Sequence, residues 1–206
     1  MKIGFIGLGK LGLPVALAVE SKGHKVFGYD IDNKVDQIIK DKKIPYKEKG
    51  ANKLLKNSKI KFRNINYIVK NSDIIFISIQ TPHEKKFEGI TKIPKERRDF
   101  NYKYLINGFK DLSKEINKQK KNKDVVIIST VLPGTLTKYI KPILSKYINL
   151  TYNPFFIAMG TTIENFLFSE MILLGTQKKE SRSKLVRFYK TINNAPIFKT
   201  NIENAE

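Results

Sequence analysis

Lys2-Ile3-Gly4-Phe5-Ile6-Gly7-Leu8-Gly9-Lys10-Leu11-Gly12 decides how the rest of the chain is read. The short apolar run from Lys2 to Ile6, ended by glycines, predicts a buried strand. Leu11 to Ser21, with small and apolar residues at helical spacing, predicts a helix. Three glycines between a strand and a helix have separate uses. Gly7 permits the tight turn, Gly9 lets a pyrophosphate approach bare backbone, and Gly12 lets the helix pack closely on the strand. The helix start adds unpaired N–H groups and the positive end of its dipole. A second strand, Lys25 to Tyr29, leads into Asp30, which stands 23 residues after Gly7. That is close to the roughly 20 residues at which a carboxylate takes the ribose hydroxyls of a dinucleotide. A carboxylate there also repels a 2′-phosphate, so the pattern points to NAD rather than NADP. The candidate cofactor residues are therefore Gly7, Leu8, Gly9, Lys10, Leu11, Gly12 and Asp30. The plainer alternative is a simple glycine turn, with Asp30 capping the next helix.

Further along, β-prone apolar runs alternate with helical patterns. Helices are expected at Asn33 to Lys40, Lys47 to Lys56, Ile65 to Lys70, Tyr102 to Asn117, Pro133 to Tyr147 (disturbed at Pro142) and Lys179 to Thr191. Strands are expected at Lys59 to Phe62, Asp73 to Ile79, Asp124 to Ser129, Leu150 to Tyr152, Met171 to Leu174 and Pro196 to Lys199. Such alternation, with right-handed crossovers, predicts an α/β fold of Rossmann type: a doubly wound, mostly parallel sheet with helices on both faces. His83 to Phe100 is polar and lacks periodicity, so it reads as a long surface loop or flap. No internal repeat or interdomain linker stands out.

The composition narrows the options. The 206 residues hold 41% hydrophobic residues, enough to build a core. They contain no cysteine, so neither disulfides nor thiolate chemistry can come from them. No apolar run is long enough for a bilayer, and the glycine-broken start does not read as a signal peptide. A cytoplasmic protein with no membrane partner is expected. The formal charge is +20, from 39 Lys+Arg against 19 Asp+Glu. Because the lysines are spread along the chain, this reads as a biased composition with solvated helix ends rather than specific nucleic-acid binding. The loop cations Lys85, Lys86, Lys92, Lys95, Arg97 and Arg98 read as solvated, with substrate phosphates as the sharper alternative. Two separated histidines make no metal site, so none is expected; His24 reads as structural, and His83 as lying near the mouth of the site. Phe155, Phe156, Phe166 and Phe168 read as core or interface residues rather than stacking platforms.

Three more segments carry a resemblance: Ile79-Gln80-Thr81-Pro82, Ser129-Thr130-Val131-Leu132-Pro133-Gly134-Thr135 and Tyr152-Asn153-Pro154-Phe155-Phe156. With Gly7 to Gly12 and Asp30, they resemble, in order and over nearly the whole chain, the N-terminal domain of the UDP-glucose/GDP-mannose dehydrogenase family. The resemblance implies an oxidoreductase that uses two NAD+ in succession to turn the C6 alcohol of a nucleotide sugar into a carboxylate. It implies that Thr81 and Thr130 lie beside the nicotinamide half of NAD, and that Thr130 also helps to place the reacting group or a catalytic water. An N-cap role for Thr130 and a polar strand end for Thr81 are the structural alternatives.

The chain also departs from the family. Where the family often reads Asn-Pro-Glu-Phe-Leu-x-Glu, Phe155 and Met159 stand in place of the carboxylates. The resemblance divides the chain into a cofactor domain, 1–200, and the start of a central helix, 201–206. The family's catalytic Lys and Asn follow that point, and its nucleophilic Cys lies in a later domain. The implied reading is a truncated product or half of a split enzyme, inactive alone, whose partners are missing C-terminal domains or a complementary chain. The rival expectations are a non-catalytic NAD(H) sensor, a β-hydroxyacid dehydrogenase-like cofactor domain and, from charge alone, a nucleic-acid binder. The Ser129 to Thr135 and Asn153-Pro154 segments favour the first reading over the β-hydroxyacid one.

Overall fold

The computed structural model describes all residues except 88–91 and 93. Its described residues form one eight-stranded sheet in the order β3-β2-β1-β4-β5-β6-β7-β8. The strands are β1 (Lys2–Ile6), β2 (Lys25–Tyr29), β3 (Lys61–Phe62), β4 (Ile74–Ile77), β5 (Lys123–Ile127), β6 (Ile148–Tyr152), β7 (Ile172–Gly175) and β8 (Ile197–Thr200). β1 to β6 are parallel; β7 runs antiparallel to β6, and β8 parallel to β7. From β1 the chain winds outward to β2 and β3, then returns to β4 on the other side of β1. The carboxyl ends of β1 and β4 therefore flank a topological switch point, where open α/β sheets hold their ligands.

β4 is apolar throughout, and β1 after Lys2 and β5 after Asp124 carry no polar side chain, because both faces of the sheet are covered. Ile3, Phe5, Ile74, Phe76 and Val126 join one buried cluster with α1 (Gly12–Ser21), α2 (Lys34–Asp41), α3 (Ala51–Asn57), α6 (Thr162–Leu167) and α7 (Lys179–Lys190). Ile6, Ile75, Ile77, Val125 and Ile127 point the other way, to α4 (Ile65–Asn71), α5 (Lys103–Gln119) and α8 (Ile202–Ala205). Period-two alternation within each strand thus feeds two cores.

Three expectations need correction. Pro133 to Tyr147 is not one helix: Leu136–Ile140 forms a π-helical turn and Lys141–Ile143 a 3-10 turn. Pro142 has no N–H to donate and its ring crowds the carbonyl four residues back, so an α-helix cannot run through it. The helix expected from Lys47 starts only at Ala51, after Gly50 turns left-handed at φ 81°. α6 was not expected. Its start is capped from far away in sequence: the buried Glu48 carboxylate accepts N–H bonds from Gly160 (3.0 Å) and Ile163 (3.2 Å). The expected loop His83 to Phe100 lies partly outside the described residues. Its described part includes a short 3-10 turn, Lys85–Phe87.

Candidate dinucleotide site

The glycine turn joins β1 to α1 at the switch point. Gly7 adopts φ 93°, and a Cβ there would lie 2.6 Å from the Ser78 carbonyl oxygen. A Cβ on Gly12 would lie 2.0 Å from the Gly7 carbonyl oxygen and 2.4 Å from Ser78 Oγ, whose hydroxyl donates to that same carbonyl at 2.6 Å. Both glycines are dictated by the protein's own packing. Gly9 differs: a Cβ there would meet nothing within 4 Å. Leu8 turns its side chain inward against Gly28, and Lys10 is exposed. The first helical hydrogen bonds run from Leu13 N–H to Gly9 O (3.1 Å) and from Val15 N–H to Leu11 O (3.2 Å). The N–H groups ahead of Leu13 are the first-turn donors that an α-helix leaves without an internal partner. Open space over Gly9, beside such donors, suits a diphosphate.

Asp30 lies at the end of β2, facing this turn. Its Oδ2 accepts the Leu8 N–H at 2.6 Å, and its Oδ1 accepts the Asp32 N–H at 2.9 Å. Those two bonds fix the carboxylate plane beside the glycine loop, and each oxygen keeps a lone pair for a further donor. The next residue, Ile31, is 87% exposed. That apolar surface at the rim of the crevice was not singled out from the sequence, although an isoleucine between two aspartates was a visible signal.

Across the switch point, Thr81 and Thr130 meet: Thr81 Oγ1 donates to the Thr130 carbonyl at 2.7 Å. They follow β4 and β5 at the carboxyl edge of the sheet, and the Thr130 residue is exposed there. Ser129 Oγ donates to Ile79 O at 2.6 Å, tying the same two segments together. Tyr102, at the start of α5, braces the turn after Thr130. Its phenolic oxygen accepts from Leu132 N–H and Thr135 Oγ1, both at 3.1 Å, and donates to Asp99 Oδ1 at 2.7 Å. Burial, helped by the Asp99 bond, raises the Tyr102 pKa, so the phenol stays protonated and able to donate.

The Asn153 segment serves the fold. Asn153 is buried; its Nδ2 donates to Leu173 O at 2.8 Å, and its Oδ1 accepts from the Tyr189 hydroxyl. Phe155 packs on Phe166, with ring centroids 5.4 Å apart. Phe156 and Phe168 are 60% and 78% exposed, so of the two expected places, core or interface, they do not occupy the core. They and Met159 lie in the region after β6, where Phe155, Phe156 and Phe168 line a cavity of about 310 Å³. His83, Arg97, Arg98 and Asp99 line a second hollow of about 560 Å³ beside Pro82. Arg98 there pairs with Glu96 (3.0 Å) and Glu84 (3.5 Å), so its charge is largely met within the loop. Among the described residues, no three His, Asp or Glu side chains are placed to hold a metal.

The sequence profile of the UDP-glucose/GDP-mannose dehydrogenase family, NAD binding domain, matches residues 1–193. The chain belongs to this family. The UDP-glucose 6-dehydrogenase of Rickettsia prowazekii is 31% identical over 215 residues, covering 100% of this chain and 46% of the relative. The GDP-mannose 6-dehydrogenase of Pseudomonas aeruginosa is 27% identical over 219 residues, covering 100% and 48%. A crystal structure titled as a ternary complex of GDP-mannose dehydrogenase from Pseudomonas aeruginosa superposes with TM-score 0.87 at 26% identity, over 100% of this chain and 47% of that one. A UDP-glucose dehydrogenase from Pyrobaculum islandicum shares the fold at TM-score 0.83. The chain thus spans about half the length of the relatives it matches, and its cofactor is NAD. No helix among the described residues is long and apolar enough to cross a membrane.

Proposed function

We propose that this chain is the cofactor domain of a nucleotide-sugar 6-dehydrogenase, binding NAD+ across the switch point. The observation that carries the reading is the contrast within the glycine turn: Gly7 and Gly12 are demanded by contacts inside the protein, whereas Gly9 faces open space. The amides of the Gly9 to Gly12 turn hold the pyrophosphate. Asp30 accepts the adenosine ribose hydroxyls and disfavours a 2′-phosphate. Ile31 offers its exposed side chain to the adenine face. Thr81 and Thr130 orient the nicotinamide half, with Thr130 also nearest the reacting carbon or an attacking water. When bound, NAD+ supplies the hydride acceptor for oxidation of an alcohol carbon.

The substrate in this reading is the C6 alcohol of a UDP- or GDP-sugar. Residues 1–200 make the cofactor domain, and 201–206 open a helix that leads toward the substrate half of the enzyme. The 206 residues contain no cysteine, so the nucleophile for a thioester route must come from outside them. In this reading the activity is cytoplasmic. A chain that binds NAD(H) only to sense it is the second reading, favoured by the Phe155 and Met159 departures.

Calorimetry with NAD+ and NADP+ tests the cofactor reading. Preferential NAD+ binding is expected; preference for NADP+, or no binding of either, overturns it. UDP-glucose and GDP-mannose added with NAD+ should give no NADH with these 206 residues alone. Steady turnover to the acid would show that no essential group is missing. Salt-sensitive binding to random duplex DNA without NAD+ binding would favour the charge-based alternative.

A further inference from the structure

The segment Ser129–Thr135 carries Thr130 to the crevice, and it is gripped from two sides. On one side stands the Tyr102 phenol described above. On the other stands Glu206, whose Oε1 accepts the Leu136 N–H at 2.8 Å and whose Oε2 accepts the Gly134 N–H at 3.3 Å. A single carboxylate thus spans two amides at the mouth of the π-helical turn, after Gly134 has taken the left-handed φ of 83°. Charge-assisted bonds of this kind are stronger than neutral ones and fix direction as well as distance.

The helix that carries Glu206 is itself firmly seated. Ile202 and Ala205 are buried in the same cluster as Val131 and Leu136. A Cβ on Gly175 of β7 would lie 2.5 Å from Ala205 Cβ and 2.8 Å from Asn201 O, so only glycine leaves room for α8. Asn201 caps the helix by accepting the Asn204 N–H at 2.7 Å, and Glu203 pairs with Lys141 at 2.6 Å. These contacts seat the Glu206 carboxylate against the turn that follows Thr130.

We propose that Glu206 is a positioning residue for the nicotinamide side of the cofactor site, acting through the Gly134–Leu136 amides on Thr130. This rests on the reading that Thr130 faces the bound dinucleotide. It also makes α8 a coupling element: any displacement of this helix withdraws Glu206 from the turn and is felt at the cofactor.

The test compares the full chain with Glu206→Ala, Glu206→Gln and Glu203→Ala, measuring NAD+ affinity, melting temperature and amide hydrogen exchange over residues 131–136. Glu206→Ala should weaken NAD+ binding about 5-fold, the worth of roughly one net hydrogen bond, and speed exchange at Gly134 and Leu136. Glu206→Gln, which keeps a carbonyl acceptor, should fall between. Glu203→Ala removes an exposed ion pair worth little to the seating of α8, which rests on Ile202 and Ala205, and should bind as the parent does. Added acetate should restore NAD+ binding by Glu206→Ala, and chloride at the same ionic strength should not, because only a carboxylate can refill the two-amide cradle. Unchanged affinity in Glu206→Ala, or a loss that acetate does not relieve, overturns the proposal. If Glu206→Ala does not fold, an affinity for Glu206→Gln equal to that of the parent overturns it too. Failure of the parent chain to bind NAD+ would instead remove the reading on which it rests.

Discussion

Adding one methyl group to the glycine turn gives opposite outcomes three positions apart, at Gly9 and Gly12. At Gly9 the new Cβ finds no heavy atom within 4 Å, and the backbone there is not left-handed. Gly9→Ala should therefore fold at least as well as the parent, with stability raised by up to ~1 kcal/mol from the stiffer unfolded chain. It should nevertheless lose NAD+, because the methyl stands where the diphosphate approaches the amides. Losing one charge-assisted hydrogen bond at ~1.5–3 kcal/mol corresponds to an affinity drop of roughly 10- to 100-fold. At Gly12 the Cβ would lie 2.0 Å from the Gly7 carbonyl oxygen, a backbone atom unable to swing aside. Gly12→Ala should cost at least ~3 kcal/mol, the upper end of ordinary overpacking. In a chain of this size that lowers the melting temperature by roughly 6–12 °C. The assays are thermal denaturation and calorimetric titration with NAD+ on both variants. Parent-like NAD+ affinity in Gly9→Ala would refute the placement of the diphosphate, and a parent-like melting temperature in Gly12→Ala would refute the packing argument.

Further outcomes follow from other residues. Asp30→Asn should weaken NAD+ by ~10-fold and shrink the margin over NADP+, since the carboxylate's charge supports the ribose bonds and repels a 2′-phosphate; parallel titrations with the two cofactors measure it. Asp124 is buried at the far end of β5 against Ser181, Lys184 and Asn149. Lys184→Met should cost ~2 kcal/mol, less than for a fully buried pair because Lys184 is itself about a third exposed; denaturant melts read this directly. His24 is buried against Phe188, with Nε2 at 2.7 Å from Thr191 Oγ1. Burial, then the nearby N-terminal charge, lowers its pKa below the usual 6.5. The unfolded state thus takes up the proton first, so this contribution is complete above pH 6.5 and is lost as pH falls from there through the folded-state pKa. His24→Gln should flatten the melting-temperature profile between pH 7 and 5, and an unchanged profile would remove His24 from the account.

The sequence shows most clearly what local chemistry controls. β1, the glycine turn, α1 and β2 could be read from one another because apolar period, glycine spacing and the acid at Asp30 all lie within the first thirty residues. That Thr81 and Thr130 follow strands at one edge of the sheet could be read from two matched segments, since parallel β4 and β5 carry their carboxyl ends together; the hydrogen bond between them could not. What stayed hidden depends on contacts distant in sequence. α6 is started by Glu48, whose partners lie more than a hundred residues away. The grip of Glu206 on Gly134 and Leu136 spans about seventy residues. Pro142 announced a disturbance, but not that the chain would give up the α-helix for a π-helical turn and a 3-10 turn. The sequence did not single out Ile31, nor tell whether Phe156 and Phe168 belong to core or interface, because exposure is a property of the fold, not of the residue type.

The most direct test is an amide NMR titration of the full chain with NAD+. The largest shifts should fall on Gly9, Lys10, Leu11 and Gly12, with a second group at Asp30 and Ile31 and smaller changes at Thr81 and Thr130. Saturating NAD+ that leaves the Gly9 to Gly12 amides unmoved, while shifting residues elsewhere or none at all, would contradict the account.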